Sequence, residues 1–141
     1  MTTPDTSTRS VIMERDFPHP PEKVWRALTE SSLIEQWLMR NDFEPVAGRT
    51  FNLRMDPMPN WNGVIDCQVL AIEPLQSLSY TWGTLGMESV VTFTLTPTAN
   101  GTHLHMEQSG FRPEQEANYR GAIYGWQKFL DGLDRVVASL N

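Results

Sequence analysis

Residues 90–108 read VVTFTLTPTANGTHLHMEQ, and the alternation inside them decides the fold. Val91, Phe93 and Leu95 alternate with Thr92, Thr94 and Thr96. After the turn-forming stretch Pro97 to Gly101, Leu104 and Met106 alternate with His103, His105 and Glu107. A period of two, with one apolar and one polar face, marks antiparallel strands buried on one side. The pattern extends upstream. Leu78, Tyr80 and Trp82 alternate with Ser79 and Thr81, a β-branched run from Gly63 to Ile72 is closed by Pro74, and Phe51, Leu53 and Met55 alternate with Asn52 and Arg54. The breakers Asp56-Pro57-Met58-Pro59-Asn60 separate the last two segments. One further strand is expected at Arg9 to Phe17, with Val11, Met13 and Phe17 on its apolar face and Glu14 and Asp16 opposite.

Helical spacing brackets these strands. Pro20 and Pro21 suit the first turn of a short helix carrying Val24, Trp25 and Leu28. Ser31 and Ser32 are expected to cap a second helix, in which Leu33, Ile34, Trp37 and Leu38 recur. Pro113 opens a last helix running to about Leu140, where Trp126, Leu130, Leu133 and Val137 form a stripe wide enough to lie across a sheet. The order predicts an α+β helix-grip fold: a curved antiparallel sheet wrapped around a long C-terminal helix, with two short helices after the first strand.

Composition narrows the function classes. The chain has 141 residues, with 11 Lys+Arg against 17 Asp+Glu and a net charge of −6. An acidic balance without a basic cluster argues against a nucleic-acid partner. One cysteine, Cys67, excludes an internal disulfide framework and any multi-cysteine zinc site. No stretch approaches the ~20 apolar residues of a membrane span, so a cytoplasmic location is the default expectation. Residues 1–8 (MTTPDTST) are polar and are expected to be a frayed tail, leaving 9–141 as one domain. Five Trp and seven Met are unusual for this length.

Four blocks of residues, in order, resemble one family. They are Arg15-Asp16-Phe17 with Pro21-Glu22-Lys23-Val24-Trp25-Arg26-Ala27-Leu28-Thr29; Val69-Leu70-Ala71-Ile72-Glu73-Pro74 with Leu78-Ser79-Tyr80-Thr81-Trp82; Gly101-Thr102-His103-Leu104 through Ser109-Gly110-Phe111; and Gly125-Trp126 with Phe129-Leu130 and Leu133. Together they resemble the Hsp90 ATPase activator homologue family of the START-like (SRPBCC) superfamily, over roughly Arg9 to Leu140. The resemblance implies the helix-grip fold, as a single START-like domain, and in many relatives an apolar cavity beneath the C-terminal helix. Its members range from polyketide cyclases to lipid and flavonoid binders. The chain departs from many relatives by reading Trp37-Leu38-Met39 in place of a double tryptophan, and Ala47-Gly48 in place of Gly-Gly. Eukaryotic activators carry a further N-terminal domain for which this chain has no room, so co-chaperone activity is not carried over.

The candidate site follows from the face assignments. Phe51, Met55, Tyr80, Trp82, Phe93 and Met106 fall on inward faces of the strands, with Gln108 continuing the last alternation. Ile123 and Trp126 face them from the helix, with Tyr119 and Gln127 near the same stripe. Trp37, Phe43 and Trp61 are expected at the rim. Two readings follow: a pocket for a flat or greasy ligand, walled by apolar groups with a few polar ones, or a filled core. Gln108 would orient a ligand group in the first, and bond Tyr80, Tyr119 or a backbone carbonyl in the second. Gly121 and Gly125 lie one helical turn apart; close packing on the sheet is the expected reason, with room for a ligand or a hinge for its entry as the alternative.

No metal site or cofactor is expected. His103 and His105 share the outward face, and Cys67 has no basic neighbour in sequence to activate it. Asp66 and Glu88 show no spacing that pairs them, and Arg15 and Arg54 matter only if they reach inside. The expected function is small-molecule binding, of a lipid-like, aromatic or polyketide-like ligand. A cyclase- or dehydratase-type enzyme using the same cavity is the alternative, and a chaperone-interaction module with a patch at Met58 and Trp61 is a third. Oligomeric state is not legible.

Overall fold

The computed structural model describes residues 9–59, 61–84 and 87–140. Residues 1–8, expected as a tail, lie outside the described residues, as does Asn60 of the breaker loop. The strands are β1 (Arg9–Phe17), β2 (Arg40–Asn41), β3 (Thr50–Arg54), β4 (Val64–Glu73), β5 (Ser77–Thr84), β6 (Met87–Thr98) and β7 (Gly101–Phe111). The helices are α1 (Pro21–Thr29), α2 (Ser31–Trp37) and α3 (Glu116–Ser139), the last preceded by a 3-10 turn at Pro113–Gln115.

The strands form one antiparallel sheet in the order β1-β7-β6-β5-β4-β3-β2. Because β1 and β2 are opposite edges, α1 and α2 between them must cross from one edge to the other, and α3 packs against both helices and against β1. This is the expected α+β helix grip. Register sets the buried face, since Val91 pairs with Gln108, Phe93 with Met106 and Leu95 with Leu104, all six buried.

Two contacts lock the helical layer. The Trp37 indole N–H donates to the Ala27 carbonyl at 2.8 Å, fixing α2 on α1. α3 also packs on α2 at Gly132, where even a Cβ would stand in ordinary contact, 3.4 Å from the Trp37 Cα. On β1 the inward position Arg15 reaches across to α3, bonding Asp134 at 2.7 Å and Asp131 at 2.8 Å. The guanidinium that could have marked an interior anion site is a staple between sheet and helix.

Three local expectations are corrected. Ser31 and Ser32 do not cap α2. Glu30, the extended junction after α1, occupies the N-cap, and the Ser31 hydroxyl donates instead to the Asn41 carbonyl at 3.2 Å. Met55 lies beyond the end of β3 and is 36% exposed, because the chain turns there with the Met55 N–H on the Gly63 carbonyl at 2.9 Å. Gln127 is exposed on α3, one position past the buried Trp126 and so rotated about 100° from it.

The outer face carries a charged cluster with a definite pH response. His103 on β7 places Nδ1 2.8 Å from Asp16 and Nε2 2.7 Å from Glu14, both on β1. Only the doubly protonated ring can donate to both. His103 therefore titrates above its ordinary 6.5, held chiefly by the Asp16 and then the Glu14 hydrogen bond, and Glu14 titrates below its ordinary 4.5 through the His103 bond. His105 and Glu107 on β7 face the same cluster, with His105 Nδ1 3.8 Å from Glu14; Thr94 and Thr96 flank it from β6. A raised histidine stabilises fully below about pH 6.5 and loses its contribution as pH climbs through the folded value; the lowered glutamate loses its own as pH falls below about 4.5. The cluster thus contributes most between those limits. The urea midpoint should fall between pH 6 and pH 9 by more in the wild type than in His103→Gln, and parallel curves would refute the assignment.

Candidate functional site

The interface between sheet and α3 is packed with aromatic side chains contributed by several elements. Trp82 on β5 and Trp126 on α3 lie 5.5 Å apart between ring centroids, Phe93 stands edge-on to Trp126 at 5.9 Å, and Phe129 flanks Trp126 at 5.6 Å. The wall continues through Tyr80 at 6.1 Å from Phe93, Phe51 at 5.1 Å from Tyr80, and Phe43 at 5.0 Å from Phe51. Edge-to-face pairs of this kind add to the burial of each ring.

A chain of hydrogen bonds runs through this wall. The Trp126 indole N–H donates to Gln108 Oε1 at 2.7 Å, Gln108 Nε2 donates to Ser89 Oγ at 2.9 Å, and the Ser89 hydroxyl donates to the Trp82 carbonyl at 3.1 Å. Gln108 is 2% exposed, so these bonds are what make its burial tolerable. They fix its amide orientation and tie α3 to β7, β6 and β5. The partners are not the expected Tyr80, Tyr119 or a backbone carbonyl. Parity could have found Ser89, which falls on the same face as Met87, Val91 and Phe93.

Burial also sets the protonation of the two titratable groups near the wall. It pushes the Tyr80 hydroxyl well up, with the Cys67 side chain a lesser cause, and it raises the Cys67 thiol, helped by the charges of Asp66 and Asp42. Both stay protonated at neutral pH. No group of three or more His, Cys, Asp and Glu able to hold a metal ion occurs among the described residues.

The structure brings together Phe51, Tyr80, Trp82, Phe93, Met106, Gln108 and Trp126 in one buried set. Trp37 and Phe43, expected at the rim, are instead core residues at 4% exposure each, because α2 and the segment after β2 fold over the end of the sheet. Ile123 is half-buried on α3, and Tyr119 is half-buried against Phe111 at 5.5 Å with the Arg9 guanidinium stacked 3.9 Å above its ring. Trp61 is half-buried in the β3–β4 loop, its indole nitrogen enclosed without a hydrogen-bond partner. Close packing does not explain the helix glycines: a Cβ at Gly121 would meet nothing within 4 Å, and one at Gly125 only the Phe129 ring at 3.8 Å. Two concavities lie outside the aromatic wall. One of about 810 Å³ crosses the outer face beside Thr92, Thr94 and Thr96, and one of about 340 Å³ lies beside Trp61, with Asp66 and Glu88 brought together on either side of Gly83.

Sheet, grip helix and enclosed aromatic wall define a START-like (SRPBCC) helix-grip protein. The family described as "Activator of Hsp90 ATPase homolog 1-like protein" matches residues 18–138, and the chain belongs to it. Among solved structures, protein MLL2253 from Mesorhizobium loti is 52% identical, over 94% of this chain and 99% of that one, with a TM-score of 0.88. Protein BH1534 from Bacillus halodurans is 29% identical, over 92% and 96%, with a TM-score of 0.79. DynU16, a protein in the dynemicin biosynthetic locus, is 25% identical with a TM-score of 0.77; this chain covers 48% of it, and 96% of this chain is matched. No curated protein matches the chain. No helix among the described residues is long and apolar enough to cross a membrane.

Proposed function

We propose that the protein binds a small hydrophobic or aromatic molecule between α3 and the sheet, as a single START-like domain spanning 9–141. The observation that carries this reading is Gln108, an amide held in one orientation within an aromatic wall by Trp126 and Ser89. Each end of the amide can form one further bond, so it can present a donor and an acceptor to a ligand's polar group. A structural neighbour encoded in the dynemicin biosynthetic locus, DynU16, supports a small-molecule role. A cytoplasmic setting is part of the proposal.

The wall is closed by ring-to-ring contact, so entry requires part of α3 to lift. Gly121 and Gly125 supply the means, since each weakens the helix by about 1 kcal/mol relative to alanine without a packing return. Tyr80 and Cys67, kept protonated by burial, would offer a general acid but no general base at the wall.

Titration with a panel of flavonoids, anthraquinones and fatty acids, followed by tryptophan fluorescence, tests the reading. A saturable change with at least one class is expected, weakened by Gln108→Leu. The double variant Gly121→Ala/Gly125→Ala should be more stable by about 1–2 kcal/mol in urea and slower to bind. Silence across the panel, with the Trp126 indole N–H signal unmoved, would overturn it.

A further inference from the structure

Arg40 and Arg54 are direct cross-strand partners in the β2–β3 pair. Like charges placed opposite each other weaken a ladder, and β2 is only two residues long. In a chain of charge −6, nothing in the fold requires them to meet. Arg15, Arg26, Arg112 and Arg120 each reach a carboxylate at 2.7–3.0 Å, and Arg9 and Arg49 pair with Glu116 and Glu44, whereas Arg135 on α3 shares with Arg54 the lack of a carboxylate within reach among the described residues. Among the described residues Arg40 has only Asp56, at 3.5 Å, and that carboxylate is 95% exposed. Among the described residues Arg54 reaches no carboxylate. Its Nη2 donates to Asn52 Oδ1 at 3.2 Å, and the Asn52 amide is itself fixed by donating to Asp66 at 2.7 Å. The pair thus makes a single direct carboxylate contact, the long one from Arg40 to the exposed Asp56.

The surroundings suit a particular ligand. Arg40 and Arg54 form the shared wall of two concavities, of about 440 and 570 Å³. The larger is floored by Leu38 and Met39 and edged by Met55 and Met58, which are 36% and 55% exposed. Methionine gives an apolar surface that adapts to different shapes, and paired guanidinium forks match the oxygens of a carboxylate or phosphate. Three acids adjoin them. Asp42 is engaged by the Asn52 backbone N–H at 2.7 Å, Glu35 is exposed on α2, and Asp56 occupies the Arg40 position that an incoming oxyanion would take.

We propose that Arg40 and Arg54 form a second binding site, outside the grip, for a small amphipathic oxyanion. Its carboxylate or phosphate lies between the two guanidiniums, displacing Asp56, and its apolar body lies on Met55 and Met58. The test is an NMR titration of the full chain, reading arginine Nε–H and methionine methyl signals, with 2-naphthoate, decanoate, 2-naphthol and inorganic phosphate as probes. Both carboxylates should shift the Arg40, Arg54, Met55 and Met58 signals, and Arg40→Gln or Arg54→Gln should weaken them at least tenfold. The stronger of the two identifies an aromatic or an aliphatic body. The neutral 2-naphthol should leave the arginine signals unmoved, and phosphate should bind more weakly than either carboxylate. The Trp126 indole N–H reports the grip separately and should respond alike in wild type and variants. Unmoved arginine signals with both carboxylates, affinity unchanged in both variants, or phosphate binding as tightly as the carboxylates would each overturn the proposal.

Discussion

Trp126→Ala is expected to lower the free energy of unfolding by at least about 4 kcal/mol. Removing a large buried aromatic side chain costs about 3–5 kcal/mol through lost burial and the cavity left behind. Here the loss also orphans Gln108 Oε1, whose partner is the Trp126 indole N–H, and an unsatisfied buried acceptor costs about 1–3 kcal/mol more. Phe93, Phe129 and Trp82 all lose a ring contact with it. The sharper measurement is a double-mutant cycle. Trp126→Phe and Gln108→Leu each strand one member of the pair, whereas the combined variant replaces both partners with apolar groups and leaves the Ser89 hydroxyl on the Trp82 carbonyl. The double variant should therefore be more stable than the sum of the singles by about 1–2 kcal/mol in urea unfolding. Strict additivity would show that the relay does not couple the helix to the sheet.

Gly63→Ala should cost about 2–4 kcal/mol, although the position lies at the edge of a loop. Gly63 has φ of +81°, in the left-handed region that costs an L-residue about 1–2 kcal/mol. A Cβ there would overlap the Met55 carbonyl oxygen and stand 3.2 Å from the Asp56 carbonyl carbon, so backbone must shift. That shift would strain the bond from the Met55 N–H to the Gly63 carbonyl, which closes the loop carrying Met58 and Trp61. Near-UV circular dichroism should report altered tryptophan packing alongside the lost stability. A change within about 0.5 kcal/mol would mean that the loop relaxes freely and does not hold Trp61 in place.

Several of these features are legible in the amino-acid sequence. Alternation at Val91, Phe93, Met106 and Gln108 places four inward side chains correctly, because a strand's period of two leaves no freedom once one face is buried. The apolar stripe of α3 places Trp126 opposite Trp82 for the same kind of reason. Alternation fails where the strand ends. Met55 continues the period of Phe51 and Leu53 but lies past Arg54, where the backbone turns. Proximity in sequence also misleads at Gln127, since one residue along a helix is a rotation of about 100°. Trp37 and Phe43 are expected at a rim, and only the crossing of α1 and α2 over the sheet buries them.

The sequence by itself determined the antiparallel sheet, the grip helix and the parity of each strand, because these depend on local periodicity and on the need to bury one face. Tertiary structure decided what no local rule contains. It gave Gln108 its partners on α3 and β6, tied Arg15 to Asp131 and Asp134, joined His103 to Glu14 and Asp16, and set Arg40 opposite Arg54. Those pairs are separated by between 14 and 119 positions. Long-range partners of this kind are fixed by strand order and register across the whole sheet, which no single segment encodes.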